Sequence, residues 1–226
     1  MPNPDGVYDG PARTRMINLA QEGETDKTVY IGEHLTEEES EKLKKLLVEY
    51  RDCFAWSYED LKGIDEKIVV HTIPLRANAI PITQRPYRTS PRIAQTIQEE
   101  LKNLLDVGFI YEIEHSDWVS PIVCVPKKND KLRVCVDFKK LNACTIKDHY
   151  PLPYTEAILE RLAGHEAYSF LDGFSGYNQV KIHLADQHKT AFTTEWGTYA
   201  YSVMPFGLSN APRTFQRMMC RDFKDF

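Results

Sequence analysis

An α+β fold is what this sequence predicts, and three observations predict it. Apolar residues recur at helical spacing in several stretches, they alternate or cluster as strands do in others, and the two kinds are interspersed without a regular βαβ or internal repeat. With 226 residues, 42% hydrophobic and 27% charged, the chain can bury a core and has the length of one large domain or two small ones.

Residues 1–28 mix Pro, Gly, Asp and Thr without apolar periodicity and read as a flexible lead-in. An acidic helical connector follows over 29–66. There Thr36 and Glu39 make a capping box, and Leu43, Leu46, Leu47, Tyr50 and Phe54 recur at helical spacing, so a helix of about four turns is expected. Its apolar face needs a partner. Pro74, Pro81, Pro86 and Pro91 forbid a helix between 71 and 91 and favour an extended arm. Ser90 and Pro91 then open a second amphipathic helix, carried by Ile93, Ile97, Leu101, Leu104 and Leu105 and ended by Gly108.

From Phe109 the period changes. WVSPIVCVPKK and KLRVCVDF are strand-like and joined at Asn129-Asp130, a hairpin with a basic tip. A third helix is expected from Thr155 to Leu162 with Gly164 as its stop. YSFLDGF is strand-like, QVKIHL alternates, and TAFTTE and TYAYSVM flank Trp196-Gly197 as a second hairpin. Phe215, Met218, Met219 and Phe223 mark a last helix capped near Asn210.

The net charge of −5 is unevenly spread. Residues 1–66 carry 8 Lys+Arg against 16 Asp+Glu, and 67–226 carry 20 against 17. Between 127 and 147, Lys127, Lys128, Lys131, Arg133, Lys139, Lys140 and Lys147 face only Asp130 and Asp137, an excess of 7 − 2 = +5 that suits phosphate. A solvated charged hairpin is the plainer alternative. Five cysteines without a CxxC pair indicate neither a zinc knuckle nor a disulfide framework. No stretch approaches the apolar length of a membrane helix, and MPNPDGVYDG has no apolar signal core. An intracellular, non-secreted protein without a membrane partner is expected.

Asp172 carries the chemistry. In SFLDGFSGYNQV it stands at the end of an apolar run before a small-residue turn, where a carboxylate is costly to bury unless it binds a cation or strong donor. A capping aspartate at the turn before Ser175-Gly176 is the alternative on local sequence alone.

Taken together, QRPYR, LLDVGFIYEIEHSDWVSPIVCVPKK, LRVCVDFKKLN, YPLPY, LDGFSGYNQV, KTAFTTEWGTYAYSVMPFGLSNAP and TFQRMM occur in an order that resembles one family. It is the reverse transcriptases of gypsy-type long-terminal-repeat retrotransposons, close to plant elements and related pararetroviruses. The resemblance covers Val69 to the C-terminus throughout and Tyr30 to Glu66 more weakly. It implies a right-hand polymerase, with fingers and a partial ferredoxin-like palm over 67–226. Its activity would be RNA-directed DNA synthesis by two-Mg²⁺ nucleotidyl transfer onto a primer 3′-hydroxyl.

By the same resemblance Asp172 is the first catalytic, metal-holding aspartate. Tyr177 would lie under the nucleotide sugar and exclude a 2′-hydroxyl; Arg133 and Lys127 or Lys128 would meet the triphosphate; Phe206 and Gly207 would pack on nucleotide and template base, with core packing the alternative for Tyr177 and Phe206. Gln179 and Asn210 are polar template or turn contacts. The partners implied are an RNA or DNA template–primer, dNTP, and the RNase H, protease and integrase domains of a polyprotein, in a cytoplasmic particle or the nucleus.

Two departures stand out. The aromatic-x-Asp-Asp motif is absent, and Asp222 and Asp225 in RDFKDF continue a helical pattern and do not replace it. Arg213 stands where the family's NAP motif usually holds a small residue; at a helix's first turn it opposes the dipole, at a small cost if exposed. The isolated chain is therefore expected not to polymerise, and a remnant that binds nucleic acid or a protein without catalysis is the second reading.

Overall fold

The computed structural model describes residues 13–126, 132–165 and 168–224. They form two compact units, Met1–Leu61 with Tyr154–Phe174, and Lys62–Pro153 with Ser175–Phe226.

In the first unit, strand β1 (Thr14–Asn18) pairs antiparallel with β2 (Thr28–Gly32), Met16 opposite Tyr30. This corrects the expectation of a flexible lead-in for residues 13–28. The strand was hard to see because its closure is polar: the Asn18 Oδ1 accepts the N–H groups of Ala20 and Lys27, both at 2.9 Å, and so ties the neck of the loop. Helix α1 (Glu37–Glu49) begins as the sequence demands. The Glu39 N–H donates to Thr36 Oγ1 at 3.3 Å, and the Thr36 N–H donates back to Glu39 Oε2 at 2.9 Å. The helix stops before Phe54, which follows a 3₁₀ turn at Arg51–Cys53. Leu46 and Tyr50 remain exposed on it.

Helix α4 (Thr155–Leu162) has the expected bounds and ends before Gly164, at φ 95°. The strand expected over YSFLDGF does not form: Tyr168–Gly173 have no regular structure, and Phe170 and Leu171 are 90% and 83% exposed. A strand needs a hydrogen-bonded neighbour, and none of the described strands pairs with this segment.

The second unit is built on a five-stranded sheet. Its strands are β3 (Ile110–Glu112), β4 (Ser120–Pro126), β5 (Leu132–Val136), β6 (Phe192–Thr193) and β7 (Thr198–Tyr201), in the order β3-β7-β6-β4-β5. All neighbours are antiparallel except β4 and β6. Both expected hairpins are seen in their strands, β4 with β5 and β6 with β7, while the basic tip with Lys127, Lys128, Asn129 and Asp130 lies outside the described residues. Helix α2 (Pro91–Asp106) buries Ile97, Leu101 and Leu104, one stripe at helical spacing. QVKIHL alternates as expected, with Val180 and Ile182 buried and Lys181 exposed, but it makes single bridges to Val203 and His71 and no full strand.

Helix α3 (Lys139–Cys144) was not legible in the sequence, since Leu141 is the one residue it buries. The signal was Asp137, whose Oδ1 accepts the Lys139 N–H at 3.0 Å. A four-residue turn, α5 (Leu184–Gln187), precedes β6, and helix α6 (Ala211–Asp222) closes the unit. Asp222 is helical, as its pattern implied, and Asp225 lies outside the described residues.

The extended arm is held by charge as well as by backbone. Asp186 and Lys189 form a part-buried ion pair at 2.5 Å; the Ile73 N–H donates to Asp186 Oδ2 at 2.8 Å, and Lys189 Nζ donates to the Ile73 carbonyl at 3.0 Å. One residue of the arm thus has both backbone groups satisfied by a carboxylate and an ammonium.

Candidate nucleotide and nucleic-acid interface

Three of the predicted residues come together in the second unit. Tyr177 sits in a 3₁₀ turn, Gly176–Gln179, that follows Ser175 in the left-handed region at φ 45°. Its ring lies 4.8 Å from that of Phe206 at 38°, and 5.5 Å from that of Phe215 at 62°, both within the favourable range for aromatic pairs. Gly176 makes the approach of Phe215 possible, because a Cβ there would lie 3.0 Å from the Phe215 ring. Two ladder bonds tie the turn to the Phe206 loop: the Ile182 N–H donates to the Ser202 carbonyl at 2.9 Å, and the Met204 N–H to the Val180 carbonyl at 2.8 Å. Burial raises the Tyr177 phenol above its ordinary pKa.

Phe206 is 59% exposed, and its ring pairs with that of Tyr177. Gly207 beside it has φ 99°, and a Cβ there would meet Phe138 Cδ2 and the Val136 carbonyl, each at 3.4 Å. The loop is therefore seated on the corner between β5 and α3. Asn142 of α3 brackets it: Nδ2 donates to the Gly207 carbonyl at 2.7 Å and Oδ1 accepts the Ser209 N–H at 2.8 Å. Asn142 and Phe215 were not singled out from the sequence. Asn142 had no separate signal in LRVCVDFKKLN, and Phe215 was read only as an apolar helix position.

The other predicted residues are placed differently. Arg133 is exposed on β5, opposite Val125, while Lys127 and Lys128 lie outside the described residues. Gln179 is half-buried and its carbonyl accepts the Ile64 N–H at 2.8 Å. Asn210 is held by the backbone of another segment. The residue is buried, its Oδ1 accepts the Asp148 N–H at 3.1 Å, and its Nδ2 donates to the Ile146 carbonyl at 2.9 Å. Asp172 is exposed, in the irregular segment of the first unit. Among the described residues no three His, Cys, Asp or Glu side chains are grouped to hold a metal ion. Asp172 alone does not make a two-ion centre, so these residues by themselves do not fit one.

Next to the loop, Arg217 Nη2 donates to both oxygens of Asp148, at 2.7 and 2.6 Å, and the guanidinium lies 4.8 Å over the Tyr150 ring. Burial alone would raise the Asp148 pKa. The Arg217 hydrogen bond, the Tyr150 N–H and the charges of Arg217 and Arg213 outweigh it and hold the carboxyl below its ordinary value. Arg213, at the first turn of α6, is half-buried.

Residues 125–226 match the family described as reverse transcriptase (RNA-dependent DNA polymerase). The chain is 36% identical over 192 residues to the retrovirus-related Pol polyprotein from transposon 297 of Drosophila melanogaster, an alignment that covers 83% of this chain and 18% of that relative. The chain thus spans under a fifth of the relative's length. It is similar to the foamy viral protease-reverse transcriptase in complex with dsDNA, with TM-score 0.72 and 27% identity over 85% of this chain and 40% of that one. The same foamy viral protein in complex with RNA/DNA hybrid shares the fold, with TM-score 0.63 and 22% identity over 85% of this chain and 26% of that one. The α+β architecture is thus that of a nucleic-acid polymerase. The chain belongs to the reverse transcriptase family, as a reverse transcriptase domain of the kind carried in long-terminal-repeat retrotransposon polyproteins.

Proposed function

We propose that this chain supplies the nucleotide-facing part of an RNA-directed DNA polymerase, which adds dNTP to a primer 3′-hydroxyl on an RNA or DNA template. The observation that carries the proposal is the aromatic pair of Tyr177 and Phe206 beside an exposed Gly207. Phe206 offers an exposed ring on which a base stacks, Gly207 lets a nucleotide approach the backbone, and Tyr177, braced by Phe215, is a rigid wall where a 2′-hydroxyl would fall. Arg133, with Lys127 and Lys128, meets the triphosphate, for which a guanidinium fork is well shaped. Asp172 would supply one carboxylate toward a divalent ion, Mg²⁺ in the proposed enzyme, whose charge would offset that of the phosphates.

Replacing Tyr177 with Val in a catalytically competent polyprotein product tests the wall. Ribonucleotide incorporation should rise relative to deoxyribonucleotide incorporation while DNA synthesis persists. Unchanged discrimination would remove Tyr177 from the role. The second reading, binding without catalysis, is suggested by the exposure of Asp172 in a segment without regular structure. On that reading the chain binds a primer–template in a salt-sensitive way and incorporates nothing. For the 226-residue chain alone we propose this outcome, with catalysis belonging to the longer polyprotein.

A further inference from the structure

One stripe of α6 borders an open cavity of about 520 Å³ in the second unit, a volume that suits a small ligand. Thr214, Arg217, Met218 and Arg221 line it at positions i, i+3, i+4 and i+7, which share one face of a helix. The extended arm contributes Ile68, 43% exposed, and the segment after α3 contributes Ile146, 49% exposed. Two branched apolar side chains are thus left open at the wall of a cavity rather than packed in the core.

The lining is also cationic. Lys147, Arg217 and Arg221 stand with one carboxylate, Asp148, a balance of 3 − 1 = +2; Asp222, which meets Arg221 Nε at 3.0 Å, is outside the lining. Both guanidiniums are already held in place. Arg217 is fixed by Asp148 and lies over the Tyr150 ring, and Arg221 Nη2 donates to the Ile68 carbonyl at 2.6 Å. Among the described residues neither Nη1 has a hydrogen-bond partner, and both arginines are exposed. Donors fixed in advance lose little freedom when an acceptor arrives, and an anion offsets the repulsion of like charges four residues apart on a helix.

We propose that this cavity binds a small amphipathic carboxylate, with its alkyl chain against Ile68 and Ile146 and its carboxylate meeting the Arg217 and Arg221 guanidiniums. Open apolar walls beside fixed guanidinium donors match a ligand that carries both an alkyl part and an anionic end. Such a ligand is neither template–primer nor dNTP, so the site stands or falls apart from the polymerase reading.

The test is calorimetric titration of the full chain with decanoate, below its micelle concentration, alongside decyltrimethylammonium and acetate. Decanoate should bind at one saturable site and raise the melting temperature, as a ligand of the native state does, while the other two compounds do neither. Arg221→Gln removes a guanidinium and Ile146→Asp removes an apolar wall. Each should weaken decanoate by about tenfold and leave the unliganded melting temperature unchanged. The two substitutions act on different elements, so if one lowers the melting temperature the other decides. Absence of decanoate binding overturns the proposal, as does decanoate that lowers the melting temperature. Equal binding of the cationic amphiphile overturns the role of the arginines, equal binding of acetate overturns the apolar half of the site, and undiminished binding in both variants places the ligand elsewhere.

Discussion

His71 is the most deeply buried ionisable group of the second unit, and acid should act on it. It is 1% exposed; Nδ1 lies 2.9 Å from Thr214 Oγ1 on α6, its N–H donates to the Lys181 carbonyl and its carbonyl accepts the His183 N–H, both at 2.9 Å. Burial, only partly opposed by the charges of Asp186 and Asp148, pushes its pKa from 6.5 down to about 4. The folded state therefore resists protonation that the unfolded chain accepts. Stability is complete above pH 6.5 and is lost as pH falls toward 4. At about 1.4 kcal/mol per pKa unit the full loss is about 3 kcal/mol, of which about 2 is spent by pH 5. Urea unfolding at pH 7.5 and pH 5 measures it. Asp148, whose pKa is lowered, pulls in the same direction, so the wild type is compared with His71→Asn. The variant should be weaker at pH 7.5, yet its loss between the two pH values should be smaller by about 2 kcal/mol. Equal losses in the two proteins would refute the assignment.

Two further predictions concern the elements that hold the site. Gly207→Ala places a Cβ at φ 99° and 3.4 Å from Phe138 and Val136, which should cost about 1–3 kcal/mol in unfolding free energy; no change would mean that the loop relaxes freely. Lys189→Met leaves the Asp186 carboxylate and the Ile73 carbonyl without their cation, and should cost about 3–5 kcal/mol by urea titration, less if water enters. A variant as stable as the wild type would show that the clamp contributes nothing.

Much of the fold was legible because local signals and packing agree. The Thr36–Glu39 box, the stripe of α2 ended at Gly108 and the turn at Trp196-Gly197 each name an element whose burial the structure repeats. What escaped had weak local signals. The strand Thr14–Asn18 alternates without burying a residue of its own, and α3 buries one side chain and starts on an Asx contact. YSFLDGF shows the reverse case: the strand signal is strong, but strand structure depends on pairing that this segment does not make with the described strands. At the site, Tyr177, Phe206 and Gly207 were visible as residue types in matched motifs. Asn142 was not, because its role depends on a loop 65 residues further on. Arg213 was visible as an odd residue, while its half-burial was not.

The role proposed for Asp172 is in nucleotidyl transfer. It is tested most directly by primer extension on RNA and DNA templates with a polyprotein product that contains this chain and the downstream polymerase sequence, with and without Asp172→Ala. Extension with the wild-type product and its loss in the variant, with primer–template binding retained, is the predicted result. Extension that survives the substitution, or a wild-type product that extends neither template, would contradict it.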